Sequence, residues 1–213
     1  MLTFPGSPRL LKGAIVALNP LTKAPVSIIP FQYNPETLTR SLQIQTQEGD
    51  QNNRVEALRL KGAPVETFQI EIQLDATDRL EKAEPSTIEL GLHPQLSALE
   101  LLIYPNTIEV GINMVSAAVG ILEIIPSEAP MTLLVWGAKR VLPVRLTSFS
   151  TAEEAYDVNL NPIRAKITLG LRVLTYDDLP WSSFGSKLFF VHQVQKEIMA
   201  RAGMATSGIN LFL

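Results

Sequence analysis

Apolar and polar residues alternate along two segments of the chain, Val65–Thr77 and Ile163–Thr175. Successive side chains of a β-strand point to opposite faces of the sheet, so this period of two predicts two half-buried strands. A strand of about 13 residues extends about 43 Å, whereas strands in globular domains usually have about five or six residues. Strands this long tend to overshoot a compact core, and we therefore expect them to reach neighbouring molecules.

Further strands are predicted where apolar runs are bounded by turn residues such as Asn19-Pro20, Asn34-Pro35 and Gly137-Ala138. Three polar or charged stretches, 47–61, 79–84 and 150–161, are predicted to be loops or connections. Six or seven strands with one helix indicate a small barrel or sandwich with protruding hairpins. The additional strands are Leu10–Leu18, Val26–Tyr33, Leu38–Thr46, Met131–Trp136 and Lys139–Ser148.

Two segments have the spacing of helices. The first begins at His93-Pro94, where proline is tolerated in the first helical turn, and is predicted to stop before Pro105. The second, Ser183–Ala202, carries one continuous apolar stripe. We assign residues 1–180 to a β domain and residues 181–213 to a C-terminal helix and tail. The stripe consists of Phe184, Leu188, Val191, Val194 and Ile198.

The apolar segment from Ile108 to Ile125 has to be compared with a membrane span. A spanning helix needs about 20 apolar residues without a charge in its middle. This segment contains Glu109 and Glu123 and is followed by Pro126. We therefore expect no direct membrane insertion, and we interpret residues 105–130 as a buried or interface-forming insertion in the β domain.

Composition narrows the function more than the fold. Hydrophobic residues make up 46% of the 213 residues and charged residues only 18%, which indicates that much surface is buried, partly against neighbours. The net charge of −3 lacks the basic character of a nucleic-acid-binding protein, so we expect no nucleic-acid partner. The absence of cysteine removes disulfides, thiolate metal sites and cysteine nucleophiles. The N-terminal residues lack the pattern of a signal peptide.

The residues that could carry chemistry do not form a recognisable site. His93 and His192 are the only histidines, and they lie far apart without metal-ligand spacing. The sequence contains no phosphate-binding loop, dinucleotide-binding glycine pattern or nucleophile elbow. We predict no enzyme activity, no catalytic residues, no cofactor and no metal. A basic stripe of Arg164, Lys166 and Arg172 on the last long strand fits a charged lining, a salt-bridged interface or a solvated strand face.

Two segments carry a resemblance to a known family. The first is Phe31–Ser41, FQYNPETLTRS. The second runs from Leu142 to Val173 and contains LPVRLTS, EEAYD, NLNPIRAK and LGLRV in that order. Together these segments resemble the tube-initiator or baseplate adaptor proteins of contractile injection systems, which are phage-tail-like particles. The resemblance covers roughly residues 10–180.

The resemblance implies a mainly β (α+β) fold, namely a phage tail-tube-like β-barrel with one flanking helix, followed here by the C-terminal helix. It implies a homo-oligomeric, hexameric ring that joins the spike hub to the inner tube protein, initiates tube assembly and contacts baseplate and sheath components. Such a particle assembles in the cytoplasm. The alternatives are the repeated inner-tube protein itself and, in a different class, a small-ligand-binding β-barrel.

Many members of that family carry a C-terminal LysM module, but residues 181–213 lack its βααβ pattern, so we do not expect glycan binding. We predict interface contacts in the first matching segment and in the connection that precedes the last strand. Asn34-Pro35 and Asn161-Pro162 are also explained by turn chemistry alone. The candidate interface residues are Phe31, Tyr33, Asn34, Pro35, Arg40, Asp157, Asn159, Asn161, Arg164, Lys166 and Arg172.

Overall fold

A computed structural model describes residues 11–19, 22–46, 59–118 and 129–206. The mainly β prediction is confirmed, because seven strands form one antiparallel sheet and five helices accompany it. The strand order in the sheet is β2-β1-β5-β6-β7-β4-β3. The strands are β1 (Ala14–Leu18), β2 (Pro25–Pro30), β3 (Leu38–Gln43), β4 (Val65–Asp75), β5 (Met131–Val135), β6 (Val141–Tyr156) and β7 (Pro162–Val173). The helices are α1 (Thr77–Glu81), α2 (Pro85–Leu90), α3 (His93–Glu100), α4 (Thr107–Ala118) and α5 (Phe184–Thr206).

The core is built from the two alternating segments that the sequence predicts. β4 and β7 pair along nine residues, from Thr67↔Arg172 to Asp75↔Arg164. The apolar residues of each strand share one face and are almost completely buried there, as Ile70 and Ile167 show. Leu96 and Leu99 of α3 belong to the same buried cluster. The helix predicted to begin at His93 therefore forms and contributes to the core, whose burial is the main source of stability.

The sheet curls until its two outer parts meet. β2 and β4 lie five positions apart in the strand order, yet Gln32, just after β2, contacts Asp75 at the end of β4. The Gln32 side-chain Nε2 donates to the Asp75 carbonyl at 2.7 Å, and its Oε1 accepts from the Asp75 N–H at 2.9 Å. Among the described strands no backbone ladder joins β2 to β3. A side-chain amide thus fastens the curled sheet where strand pairing does not.

Two predicted loops are wrong in part. The polar connection 150–161 is mostly strand, because β6 continues to Tyr156 beside β7, with irregular register after Leu146 and after Glu153. Both faces of this part of the strand are largely exposed, so its polar residues are compatible with a strand and do not indicate a loop. The charged segment 79–84 overlaps α1, which follows Asp75; the Asp75 carboxylate accepts from the Thr77 N–H at 2.8 Å.

The remaining sequence predictions have mixed outcomes. β3 ends at Gln43 instead of Thr46, and the apolar side chains of its C-terminal part are exposed rather than buried. The insertion contains a helix, α4, without a buried residue. The polar segment 47–58, the insertion residues 119–128 and the tail 207–213 lie outside the described residues.

The Gln32 bridge makes a testable contribution to stability. Gln32→Ala removes both hydrogen bonds and leaves the Asp75 backbone groups without this partner. We expect the free energy of unfolding to fall by about 1–2 kcal/mol in urea denaturation. Gln69→Ala, on the exposed face of β4, should change it by less than about 0.5 kcal/mol. Equal effects of the two substitutions would show that the bridge does not hold the sheet together.

Candidate assembly interface

The sheet leaves long strand edges without a partner in the described part of the chain. Within β6, only residues 141–144 pair with β5. Residues 145–156 of β6 pair with β7 alone, so their other edge is open. β2 and β3 are the outer strands of the sheet, so each also has one open side. Unpaired strand edges present rows of N–H and C=O groups that can accept a strand from another molecule.

The outer strands expose apolar side chains beside these edges. Val26 and Ile28 of β2 are 68% and 61% exposed, and Leu42 of β3 is 46% exposed. Natural edge strands are commonly protected by charges or by proline within the strand. β2 begins and ends with proline, but no charged residue lies within it. The β2 edge therefore has the character of a contact surface rather than of a protected solvent edge.

The first predicted interface segment combines one buried anchor with exposed residues. Phe31 is only 1% exposed and lies 6.3 Å from Trp136, measured between ring centroids. The side-chain amide of Asn34 forms hydrogen bonds within the chain. Its oxygen accepts from the Gly13 N–H at 2.9 Å, and its nitrogen donates to the Leu11 carbonyl at 2.8 Å. Tyr33 is exposed and Pro35 is half-buried, and both line a shallow cavity. Phe31 and Asn34 therefore hold this segment in place, while Tyr33 remains accessible.

The second predicted segment forms the tight turn between β6 and β7. The Asp157 carboxylate accepts from the N–H groups of Asn159 at 2.7 Å and Asn161 at 2.8 Å, and from the Asn161 side chain at 2.9 Å. These hydrogen bonds, led by that of the Asn161 side chain, lower the pKa of Asp157. Asn161 also donates to the Glu89 carbonyl at 3.1 Å and so ties the turn to α2. The three predicted residues thus build the turn itself.

The basic stripe on β7 is paired within the chain. Arg164 lies 3.1 Å from Asp75, Lys166 lies 2.8 Å from Glu154, and Arg172 lies 2.6 Å from Asp178. Of the interpretations that the sequence left open, the structure favours a salt-bridged strand face, with partners from the same molecule. Exposed pairs of this kind contribute little stability, but they match the three cations of the stripe within the chain.

The last predicted residue, Arg40, belongs to an ionic cluster around a buried carboxylate, which the sequence did not predict. Glu66 of β4 is 1% exposed; its carboxylate lies 2.5 Å from Arg40 Nε and 3.2 Å from Lys196 Nζ of α5. Burial alone would raise the pKa of Glu66, but the hydrogen bonds and charges of Arg40 and Lys196 outweigh it and hold the pKa below its ordinary value. The alternation in β4 could have indicated that Glu66 is buried, because Glu66 lies in phase with the inward-facing Phe68 and Ile70.

The apolar stripe predicted on the C-terminal helix exists, but much of it faces outward. α5 contacts β6 and buries Ser186, Phe189 and His192. Val191 and Ile198 of the stripe are 52% and 59% exposed. Helix α4 is also apolar, and none of its residues is buried. Both helices therefore present apolar surface that the described part of the chain does not cover.

The described residues give little support for other kinds of site. In the described ranges, no group of three or more histidine, aspartate or glutamate residues is placed to hold a metal ion. None of the described helices is both long and apolar enough to cross a membrane. A cavity of about 620 Å³ lies between β2, the end of β4 and helices α1 and α3, and Phe31, Leu74 and Gln95 contribute to its lining.

The Glu66 cluster predicts a specific pH dependence. Glu66→Gln leaves Arg40 and Lys196 without their counter-charge; both are about one third exposed, so we expect a loss of about 1–3 kcal/mol at neutral pH. The pKa of Glu66 is lower in the folded than in the unfolded chain. The ionised carboxylate therefore makes its full contribution to the free energy of unfolding above the unfolded pKa of about 4.3. That contribution is lost as the pH falls through the folded pKa.

Urea denaturation of both proteins between pH 7 and pH 3 checks this expectation. The difference between the wild type and Glu66→Gln should shrink on acidification. Glu71→Gln removes a carboxylate from the exposed face of the same strand and should follow the wild-type curve. A constant difference between the wild type and Glu66→Gln would contradict the ionic role of Glu66.

Comparison with known proteins bears on what these surfaces are for. No match is found among curated proteins. Residues 11–178 match a family described as contractile injection system tube protein. This range contains all seven strands, the open edges and every predicted interface residue. The chain therefore belongs to the contractile injection system tube protein family.

Proposed function

We propose that this chain forms a hexameric ring that joins the spike hub of the baseplate to the inner tube and initiates tube assembly. Membership of the tube family supports a structural role in a contractile injection system. The initiator role rests on the resemblance carried by Phe31–Ser41 and Leu142–Val173. In this role the chain catalyses no reaction. Its partners are its own copies, the inner tube protein, the hub, and baseplate and sheath components, and it assembles with them in the cytoplasm into a phage tail-like particle.

The open half of β6 is the observation that best supports ring formation. Residues 145–156 offer about 12 residues of strand edge without a partner in the described chain. An outer strand of a second copy, β2 or β3, can pair with this edge through backbone hydrogen bonds. Because the two edges differ, the contact is heterologous and can be repeated from copy to copy until a ring closes.

The outward apolar surfaces of α4 and α5 support a position at a junction. A subunit between the hub and the tube contacts its ring neighbours and two different kinds of axial partner. The strand edges serve the ring neighbours, and the two helices provide further apolar surface outside those edges. Exposed apolar patches of this kind are typical of protein–protein contacts.

Two alternatives predict different observations. The repeated inner-tube protein of the same family would use the same strand edges but would be present in many rings. A small-ligand-binding barrel is favoured by the cavity of about 620 Å³ beside α3, a volume within the range of ligand sites. Such a protein would be a monomer whose cavity binds a ligand without any change in association.

Electron microscopy of native particles with this chain labelled tests the proposed position. We expect label at the baseplate end, in one or two rings. Label along the whole tube would identify the repeated tube protein instead. Absence of the chain from isolated particles would contradict both of these functions.

The edge strand β2 provides a test of ring formation. Val26→Lys/Ile28→Lys places two charges on an apolar edge, where both side chains are already exposed, so the fold should be retained. We expect the protein to shift from ring to monomer in native mass spectrometry and analytical ultracentrifugation, because pairing this edge would then bury two charges.

Leu101→Lys/Tyr104→Lys is the matched control, since both residues are similarly exposed but lie after α3, outside the seven strands. This control should keep the wild-type mass. Thermal unfolding and circular dichroism of both variants should match those of the wild type. A β2 variant that still forms rings as the wild type does would exclude β2 from the contact.

A further inference from the structure

A basic pocket of about 320 Å³ lies at the turn between β5 and β6. β3, this turn and α5 each contribute residues to its lining, so three parts of the fold converge on it. The volume is at the lower end of the range of small-molecule sites. The pocket therefore combines the size of a ligand site with a high density of positive charge. Its four cations are Arg40, Lys139, Arg140 and Lys196.

The positive charge of the pocket is not balanced by ion pairs within the described residues. One carboxylate, that of Glu66, pairs with Arg40 and Lys196. Lys139 and Arg140 form no ion pair with a described residue. Four cations and one carboxylate leave an excess of three positive charges. A ligand that fits this pocket must therefore be an anion, and one with more than a single negative charge fits it best.

The fold holds the unmatched cations in place. The Trp136 N–H donates to the Arg140 carbonyl at 2.7 Å, and Gly137 adopts a φ of +71° within the turn. The Arg140 guanidinium lies over the ring of Phe68, 5.9 Å from its centroid, which is within the range of a cation–π contact. An anion that binds here thus finds the charges already arranged and loses less free energy to ordering of side chains.

His192 is an independent sign that the pocket lacks a ligand. It lines the pocket and is only 6% exposed, and its Nδ1 has no hydrogen-bond partner in the described structure. Burial lowers the pKa of His192, the charges of Lys196, Arg40 and Arg140 lower it further, and Glu66 acts in the opposite direction. The ring therefore lies close to the cations of the pocket. Buried polar groups without partners are rare in folded proteins and call for an explanation.

One wall of the pocket is apolar. Trp136 is half-buried and packs near Phe31, with 6.3 Å between the ring centroids. Met199 of α5 also contributes to the lining. An indole ring and a thioether favour contact with flat or aromatic groups. The pocket thus offers an organic group a surface beside the cations.

We propose that this pocket binds the phosphate group of a small phosphorylated molecule. A phosphate monoester carries a charge of about −1.5 to −2 at pH 7 and three strong acceptor oxygens, so it offsets more of the excess charge than a carboxylate does. These oxygens can accept from Lys139, from Arg140 and from the ring of His192 with its proton on Nδ1. The inference does not depend on the proposed ring, because binding to each subunit can be measured in any state of assembly.

Tryptophan fluorescence tests the proposal. The chain contains two tryptophans, so Trp181→Phe leaves Trp136 in the pocket as the only reporter. We expect AMP to change its fluorescence with saturation at one ligand per subunit, and isothermal titration calorimetry of the wild type to give the same affinity. Adenosine, which lacks the phosphate, should not bind. Inorganic phosphate that binds as tightly as AMP would identify free phosphate as the ligand, whereas tighter binding of AMP would identify an organic phosphate.

Two results of this titration would overturn the proposal. One is the absence of saturable binding of both AMP and inorganic phosphate up to about 10 mM, a concentration that reveals even weak sites. The other is equal binding of succinate at the same ionic strength, since succinate is a dianion without a phosphate group and would show that the pocket responds to charge alone.

Substitution of the unmatched cations tests the position of the site. Lys139→Gln/Arg140→Gln should weaken AMP binding about tenfold or more, because charge-assisted hydrogen bonds are lost. Lys187→Gln/Arg201→Gln removes the same charge from exposed residues of α5 outside the pocket and should bind AMP as the wild type does. Wild-type affinity in the pocket variant, or an equal loss in the control, would contradict binding at this site.

His192 provides a readout that a general loss of charge would not move. His192→Asn keeps a donor near the position of Nδ1 and should retain most of the affinity, whereas His192→Leu should lose about tenfold. If His192→Leu does not fold, NMR of the wild type decides. AMP should shift the ring signals of His192 and leave those of His93 unchanged, since His93 lies near Asp157 at the β6–β7 turn. Unchanged His192 signals with AMP bound would overturn the proposal.

Discussion

The mismatch in length between β5 and β6 is the constraint on which the assembly surfaces depend. β5 has five residues and β6 has 16, so β5 covers only the beginning of its neighbour. In the single chain the open backbone groups of β6 can bind water, but an interface that excluded water without replacing those hydrogen bonds would be costly. A partner that covers this edge must therefore supply another strand or an equivalent row of donors and acceptors.

The core of the subunit is packed and hydrogen-bonded within one chain, without a contribution from a partner. β7 is paired on both sides, by β6 and by β4, and its inward residues are fully buried. Leu96 and Leu99 of α3 complete the core, and the amide of Gln32 joins the two outer parts of the curled sheet. The stability of the subunit and the availability of its edges are thus separate properties, because different groups determine them.

How far the sequence predicts this structure depends on whether a residue's partner is local. The alternation in β4 and β7 predicts both strands and their buried faces, because periodicity reports directly on a two-sided environment. The second half of β6 is missed because it is largely exposed on both faces and has no such pattern. On α5 the spacing identifies an apolar stripe, but periodicity does not tell what a stripe faces, and Val191 and Ile198 prove to be exposed. The pairing of Glu66 with Lys196, 130 residues away, could not be derived from local pattern.

The distribution of charge separates two kinds of contact. On β7 the cations Arg164, Lys166 and Arg172 are matched within the chain. At the β5–β6 turn the opposite holds, since Lys139 and Arg140 form no ion pair with a described residue. Backbone hydrogen bonds between edges are largely independent of side-chain identity, whereas a charged pocket discriminates among the surfaces that approach it. Pairing of strand edges therefore depends mainly on the backbone, whereas recognition at the pocket depends on side chains, so substitutions can change one without abolishing the other.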